Sequence, residues 1–192
     1  METIKYPNKE TWKDILKRPT IDTTSLEATV QSVLLDIKAN GQSAVKKYTL
    51  QFDKVGLENI SVSNDEFSVA EKSISTELKQ AIQLAKSNIE TFHSAQKEEV
   101  KIIETMPGVK CWRKSIAIQK VGLYIPGGTA PLFSTILMLG VPAKLAGCEE
   151  IILCTPPDSN GNVNPAILYA AQLIGITKVF KVGGVQAIGA MA

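Results

Sequence analysis

A strand, a Pro-Gly-Gly turn and a helix follow one another directly between Val121 and Met138, and this stretch constrains the fold more than any other. It reads VGLYIPGGTAPLFSTILM, an apolar run that changes from a strand pattern to a helix pattern across two adjacent glycines. In α/β proteins the backbone between a strand end and a helix N-terminus is where the phosphates or ribose of a nucleotide bind. The stretch therefore predicts an α/β domain with a ligand site at the end of this strand.

The chain beyond this stretch continues to alternate short apolar strands with helices. Three strands are predicted, at Val121–Ile125, Glu150–Thr155 and Val179–Val182. Two helices connect them, Leu132–Ala146 closed by Gly147 and Pro165–Ile174 closed by Gly175, the second with Asn164 as N-cap. Strands joined by crossover helices predict a parallel sheet, so this part is expected to begin a Rossmann-like domain.

The residues before Lys120 predict a mainly helical region. The first helix contains Trp12 and is expected to end before Pro19. The next has a capping-box pattern at Thr24 and Glu27 and an αL C-cap at Gly41. A third helix is expected to run as far as Asp53.

A possible short strand at Ile60–Val62 precedes the best amphipathic helix of the chain. That helix carries apolar residues from Leu78 to Phe92 at helical spacing, with Ser75 as its predicted cap. A hairpin is predicted between Val100 and Ile118, turning at Met106-Pro107-Gly108 and carrying Trp112 on its second arm. We therefore expect two regions, 1–120 helical with a β-hairpin and 121–192 the first part of the Rossmann-like domain.

A second glycine-rich turn, Gly183-Gly184, follows the last predicted strand and leads into the first turns of a helix. Three strands are few for a parallel sheet, which needs both faces covered. The sequence is therefore expected to be part of a longer protein. The alternative is a small domain whose open face is covered by a partner.

Composition narrows the expected partners. The formal charge is +2, and Lys and Arg are mixed with Asp and Glu, which argues against a nucleic-acid or membrane surface. No apolar run of signal-peptide or membrane-spanning type is present, so a cytoplasmic location is expected. Small molecules and other protein chains remain as the expected partners.

Few residues of this chain are suited to catalysis. His93 is the single histidine, and it is interpreted as structural because no metal-ligand pattern surrounds it. The three cysteines, Cys111, Cys148 and Cys154, lack metal or redox spacing and are expected to be small buried hydrophobic residues. No G-x-S-x-G or H-E-x-x-H motif is present. We therefore predict a binding rim without catalytic or metal-ligating residues.

The binding rim is predicted at the carboxyl edge of the sheet, where both Gly-Gly turns should meet. Tyr124 ends the strand before the first turn and could pack against a ribose or an adenine. Gln186 follows the second turn and could offer its amide to hydroxyls or a carboxamide. An equally simple interpretation is that the glycines only allow the chain to turn.

The stretch Val121–Met138 closely resembles the signature opening of the nucleotide-binding domain of the histidinol dehydrogenase family. Further segments resemble the same family in order, both downstream and upstream: Val141-Pro-Ala-Lys-Leu-Ala-Gly147, Thr155-Pro-Pro157, Ala166–Gln172, Val182–Ile188, Arg18-Pro19, Gly41 with Ala44 and Tyr48, Phe52-Asp53 and Asn88–Gln96. The resemblance spans nearly the whole chain.

This resemblance implies a zinc enzyme that oxidises L-histidinol through the aldehyde to L-histidine, using two NAD molecules in turn, and that acts as a homodimer. It also implies that Tyr124 and Gln186 are the NAD contacts in this chain. His93 matches a Phe-His-x-x-Gln element of the family and not a zinc ligand. The family's zinc ligands and its catalytic Glu-His pair lie beyond residue 192, so this chain alone is expected to be inactive.

Two alternatives remain open from the sequence. One is a free-standing α/β nucleotide-binding or interaction module that has no catalytic half. The other is an aldehyde-dehydrogenase-like protein, which would require a reactive cysteine in a substrate cleft. Cys148 and Cys154 flank a predicted buried strand, which disfavours this second alternative.

Overall fold

The computed structural model describes residues 3–18, 22–128 and 130–192. A 3-10 turn at Lys9–Thr11 runs into a short helix, α1 (Trp12–Ile15), which confirms the first predicted helix. Pro19, expected to end that helix, lies outside the described residues, and so does Thr129 in the first glycine-rich turn.

Two consecutive helices follow, α2 (Thr24–Asn40) and α3 (Gln42–Tyr48), and a π-helical turn at Thr49–Asp53 extends the second. The predicted capping box of α2 is wrong. The helix has Thr23 at its N-cap without a side-chain hydrogen bond, and Asp22 accepts instead from the Thr24 backbone at 3.0 Å and hydroxyl at 2.6 Å. Gly41 has the expected positive φ of 54°, but its ψ of −130° lies outside the αL region.

The next helix, α4 (Asn64–Ser73), was not predicted, although its start carries a complete capping box. The Ser63 hydroxyl accepts from the Glu66 backbone N–H at 3.2 Å, and the Glu66 carboxylate accepts from the Ser63 backbone N–H at 2.8 Å. Helix α5 (Thr76–Ser94) follows, and Ser75 caps it as predicted.

The predicted hairpin is confirmed as strands β1 (Ile103–Met106) and β2 (Val109–Cys111), which pair antiparallel. Trp112 lies directly after the second strand and is exposed. The segment Ile60–Val62 forms no strand, but it exchanges backbone hydrogen bonds with the last strand of the parallel sheet at Val179 and Lys181.

The parallel sheet consists of β3 (Lys120–Tyr124), β4 (Glu150–Thr155) and β5 (Lys178–Lys181) in that order. Helices α6 (Phe133–Ala146) and α7 (Pro165–Leu173) connect the strands, and α8 (Gly184–Met191) follows the last. The predicted α/β class and the parallel sheet with its connecting helices are thus confirmed. Asn164 caps α7 through a hydrogen bond from the Ala166 N–H at 2.9 Å.

Helices cover both faces of the sheet. Because successive strand residues point to opposite sides, each strand contributes to two separate cores. One core joins Leu123, Leu153 and Val179 to apolar residues of α4, α5, α6 and α7. The other core joins Cys154 and Val182 to residues of α2, α3 and α8, with Tyr124 packed against it. Helices from before Lys120 thus share both cores with later elements, and the predicted division into 1–120 and 121–192 stays a prediction.

Among the described helices none combines the length and apolar character needed to cross a membrane.

Candidate functional site at the carboxyl edge of the sheet

The three parallel strands end side by side, and a short turn follows each of them. Residues Pro126-Gly127-Gly128 come after β3, Pro156-Pro157 after β4, and Val182-Gly183-Gly184 after β5. The prediction that both Gly-Gly turns meet at one edge of the sheet is therefore confirmed. This edge is where open α/β folds bind their ligands.

The glycines of these turns serve two different physical needs. A Cβ on Gly127 or on Gly183 would lie only 2.6 Å from the ring of Pro156, although neither glycine has a left-handed backbone. Gly184 alone of the four adopts a left-handed conformation, with φ of 57°. Close packing against Pro156 thus requires glycine at positions 127 and 183, whereas backbone conformation favours it at 184.

Tyr124 is tied directly to the second glycine turn. Its phenolic oxygen accepts a hydrogen bond from the Gly184 backbone N–H at 3.0 Å, which bridges the ends of β3 and β5. A phenol that accepts one hydrogen bond still has its own proton to donate. The half-buried Tyr124 hydroxyl can therefore donate to an acceptor on a ligand.

Gln186 lies in the first turn of α8, and its side chain is fully buried. Its Nε2 donates to Asp53 Oδ2 at 3.1 Å. Its Oε1 has no hydrogen-bond partner among the residues that the structure describes. A buried polar atom without a partner is costly, by about 1–3 kcal/mol, so this oxygen is a candidate acceptor for a donor supplied from outside the chain.

Asp53 is a third polar residue at this turn, and it comes from the end of the π-helical turn after α3. Burial raises the pKa of its carboxyl, while the Gly183 backbone N–H and the Gln186 amide act in the opposite direction. A Cβ on Gly183 would lie 2.9 Å from Asp53 Oδ1. Tyr124, Gln186 and Asp53 thus all surround Gly183-Gly184.

The structure therefore brings together the two residues predicted as cofactor contacts and adds Asp53 to them. Asp53 was not predicted as a site residue from its own surroundings, because its partner Gln186 is 133 positions away in the sequence. No sequence pattern near Asp53 or near Gln186 predicts that the two side chains are in contact.

The first glycine turn opens onto the other face of the sheet, into a cleft of about 710 Å³. The cleft lies between the turns after β3 and β4 and the N-terminal ends of α4 and α7. Its lining includes Gly127, Gly128, Pro157, Glu66 and Asp158, but neither Tyr124 nor Gln186. A volume of this size is in the usual range for small-molecule sites.

The residue types that could support metal or nucleophilic chemistry are dispersed in the structure. The described residues contain no group of three or more His, Cys, Asp and Glu side chains that could hold a metal ion. His93 lies near the end of α5, where its Nδ1 is 2.8 Å from Gln96 Oε1. The structural role expected for His93 stays a prediction.

The cysteines differ in their surroundings. Cys154 is buried in β4, as expected, and burial raises the pKa of its thiol to about 11. Cys148 is half-buried, and Cys111 at the end of β2 is exposed. The expectation that all three are buried is therefore wrong for Cys111, because the hairpin that carries it has no layer packed over it among the described residues.

The fold and this edge define the class: an α/β protein with a parallel sheet, helices on both faces and two glycine turns at the carboxyl ends of its strands. Residues 16–192 match the family model described as histidinol dehydrogenase. The chain belongs to the histidinol dehydrogenase family, as its sequence motifs led us to expect.

Individual relatives agree with this assignment. The histidinol dehydrogenase of Bacteroides thetaiotaomicron is 61% identical over 192 residues, which are 100% of this chain and 45% of the relative. That of Xanthomonas euvesicatoria is 50% identical over 181 residues, 93% of this chain and 42% of the relative. The crystal structure of histidinol dehydrogenase from Elizabethkingia anophelis is 55% identical with a TM-score of 0.93, covering 96% of this chain and 43% of that one. The chain thus spans less than half the length of these relatives.

Proposed function

We propose that this chain supplies part of the NAD site of a histidinol dehydrogenase, which oxidises L-histidinol through L-histidinal to L-histidine. The observation that carries the proposal is the pairing of Tyr124 and Gln186 around Gly184 at the carboxyl edge of the sheet. Family membership supports the reaction, and the placement of these two residues supports the cofactor.

The hydrogen-bonding groups at this turn suit the polar parts of NAD. Tyr124 has a hydroxyl proton to donate, and Gln186 has an unpartnered acceptor oxygen. A carboxamide or a ribose hydroxyl presents both an acceptor and a donor, so either could pair with the two side chains. In this proposal NAD, when bound, supplies the hydride acceptor, and the residues of this chain bind and orient it.

Zinc does not fit the described part of this chain, because no group of ligating side chains is assembled there. The proposal assigns zinc binding and proton transfer to parts of a longer enzyme, which we also propose to be homodimeric and cytoplasmic. Within it, residues 1–120 would form the helical support and 121–192 would begin the NAD-binding domain.

NAD titration tests the cofactor proposal. Tyr124→Phe removes the phenolic oxygen and should weaken NAD binding about 5- to 10-fold, the effect of one hydrogen bond. Tyr169→Phe is the matched control, since that hydroxyl also accepts one hydrogen bond, in this case from the Gln83 side chain at 3.0 Å, but lies on α7. Equal NAD affinity in the wild type and Tyr124→Phe would contradict the assignment of Tyr124.

A dehydrogenase assay tests the reaction. The full gene product should reduce NAD when supplied with L-histidinol and should contain zinc by elemental analysis. The 192-residue chain should produce no NADH by itself. Turnover by these residues alone would show that catalytic groups are present here, against the proposal.

A further inference from the structure

The contact between Asp53 and Gln186 restricts how the Gln186 carboxamide can be oriented. Its two ends are similar in size, so packing alone distinguishes them poorly, and hydrogen bonds decide which end points where. An ionised carboxylate only accepts hydrogen bonds. Asp53 Oδ2 therefore selects the NH₂ end of the carboxamide, and the observed Nε2–Oδ2 distance is 3.1 Å.

The opposite end of the carboxamide faces the second glycine turn. A Cβ built on Gly184 would lie 2.7 Å from Gln186 Oε1, so this oxygen lies directly against the residue whose N–H binds Tyr124. Oε1 is buried and has no partner within the described ranges. The turn thus holds a buried acceptor against Gly184, the residue whose N–H binds the Tyr124 oxygen, and a side chain larger than glycine at 184 would collide with it.

We propose that Asp53 is a positioning residue, which orients the Gln186 carboxamide so that Oε1 accepts a hydrogen bond from an N–H or O–H group of the bound cofactor. This inference rests on the proposed function and adds to it a residue that acts through another one. Asp53 itself need not touch the ligand.

The neutral substitution Asp53→Asn reverses the selection of one end. An asparagine whose Oδ1 keeps the hydrogen bond from the Gly183 backbone N–H presents its Nδ2 to Gln186, so it donates to Oε1 and favours the second orientation of the carboxamide. In the second orientation Oε1 is already paired and Nε2 faces the turn, where it cannot accept. Asp53→Asn should therefore weaken NAD binding about 5- to 10-fold, close to the value of one hydrogen bond between uncharged groups.

A double-mutant cycle on the full gene product distinguishes positioning from a merely structural role. NAD dissociation constants are measured for the wild type, Asp53→Asn, Gln186→Ala and the double variant. If Asp53 acts through Gln186, Asp53→Asn should change NAD affinity less than about 2-fold once residue 186 is alanine. Asp36→Asn is the control, because it removes a carboxylate that accepts from Lys47 at 2.7 Å on the surface of α2.

Additive effects in this cycle would overturn the inference, and so would an unchanged NAD affinity in Asp53→Asn. Analogues assign the donor: 3-acetylpyridine adenine dinucleotide lacks the carboxamide N–H, and ADP-ribose keeps the ribose hydroxyls without the nicotinamide. The effect of Asp53→Asn should persist with both if a ribose hydroxyl is the donor. The effect should disappear with both analogues if the nicotinamide carboxamide is the donor.

A second measurement separates this inference from the proposed function. The side-chain amide signals of Gln186 in the ligand-free protein, assigned by NMR through Gln186→Ala, should shift in Asp53→Asn and not in Asp36→Asn. A wild type that fails to bind NAD while showing this shift would refute the NAD site but keep the orienting contact. Unchanged Gln186 signals would overturn the positioning role whatever the NAD result.

Discussion

Lys181 Nζ lies 3.0 Å from Glu66 Oε1, and this ion pair joins the end of β5 to the first turn of α4, 115 residues earlier. The lysine side chain is 11% exposed and the glutamate side chain 28%, so both partners are largely removed from water. Glu66 also accepts from the Ser63 backbone N–H in the capping box of α4. One carboxylate therefore fixes the start of a helix and its attachment to the sheet.

Replacing Lys181 should destabilise the protein more than replacing a surface lysine. Lys181→Ala leaves the Glu66 carboxylate partly buried without its cation, and we expect a loss of about 1–3 kcal/mol in the free energy of unfolding. Lys178→Ala is the control, since Lys178 pairs with Glu150 at the surface and should cost about 1 kcal/mol or less. Urea unfolding measures both, and equal losses would contradict the difference in burial.

The pH dependence of stability should also report on Glu66. Burial alone would raise its pKa, but the Ser63 backbone hydrogen bond and Lys181 together outweigh burial and lower the pKa from its ordinary value of 4.5. A lowered folded-state pKa stabilises the fold fully above the unfolded value and less as pH falls through the folded value.

The wild type should therefore exceed Glu66→Gln in stability at about pH 6, and this advantage should shrink as the pH falls below about 4.5. Unfolding curves at a series of pH values measure the difference. A constant difference across the acid range would mean that Glu66 is not the group that titrates.

Substitution of Gly183 should be poorly tolerated. A Cβ there would lie 2.6 Å from Pro156 Cβ and 3.3 Å from its backbone Cα, and neither atom can move without displacing the chain after β4. We expect Gly183→Ala to cost about 1–3 kcal/mol, as overpacking usually does. Gly128→Ala serves as the control because, apart from its chain neighbours, no described residue lies within 4 Å of its Cβ position. Thermal unfolding of the two variants should differ by several degrees.

The three thiols should react with alkylating agents at widely different rates. Cys111 is exposed and should be labelled first, whereas Cys154 is buried and its pKa is raised to about 11. Because the thiolate is the nucleophile, Cys154 should remain unlabelled in the folded protein near neutral pH. Mass spectrometry after timed alkylation measures this order. Rapid labelling of Cys154 would contradict its burial in β4.

The fold was predictable wherever short-range signals determine an element. Asn164 and Pro165 mark the start of α7, and Ser75 marks the start of α5, because caps act within three residues. The Ser63–Glu66 capping box at the start of α4 is a signal of the same short range, although α4 was not among the predicted helices. At Thr24 the capping pattern was misleading, since Asp22 binds the Thr24 N–H and hydroxyl instead.

The candidate site was only partly predictable. Tyr124 and Gln186 follow from the rule that parallel strands share a carboxyl edge, although their role as NAD contacts stays a prediction. The burial of Gln186 and its bond to Asp53 depend on α3 packing against α8, which no pattern within either helix specifies. Long-range contacts of this kind require the assembled structure.

The close approach of Pro156 to Gly127 and Gly183 has a consequence for how this sequence can diverge. A single proline ring separates the two turns and fills the space that a side chain on either glycine would need. Alanine at 127 would clash with the Cγ of that ring and should become acceptable where position 156 carries a smaller residue. Alanine at 183 would still meet the Cβ of any residue other than glycine at 156, as well as Asp53 Oδ1, so position 183 should remain glycine. Among homologous sequences, positions 127 and 156 should therefore vary together, although they are 29 positions apart along the chain.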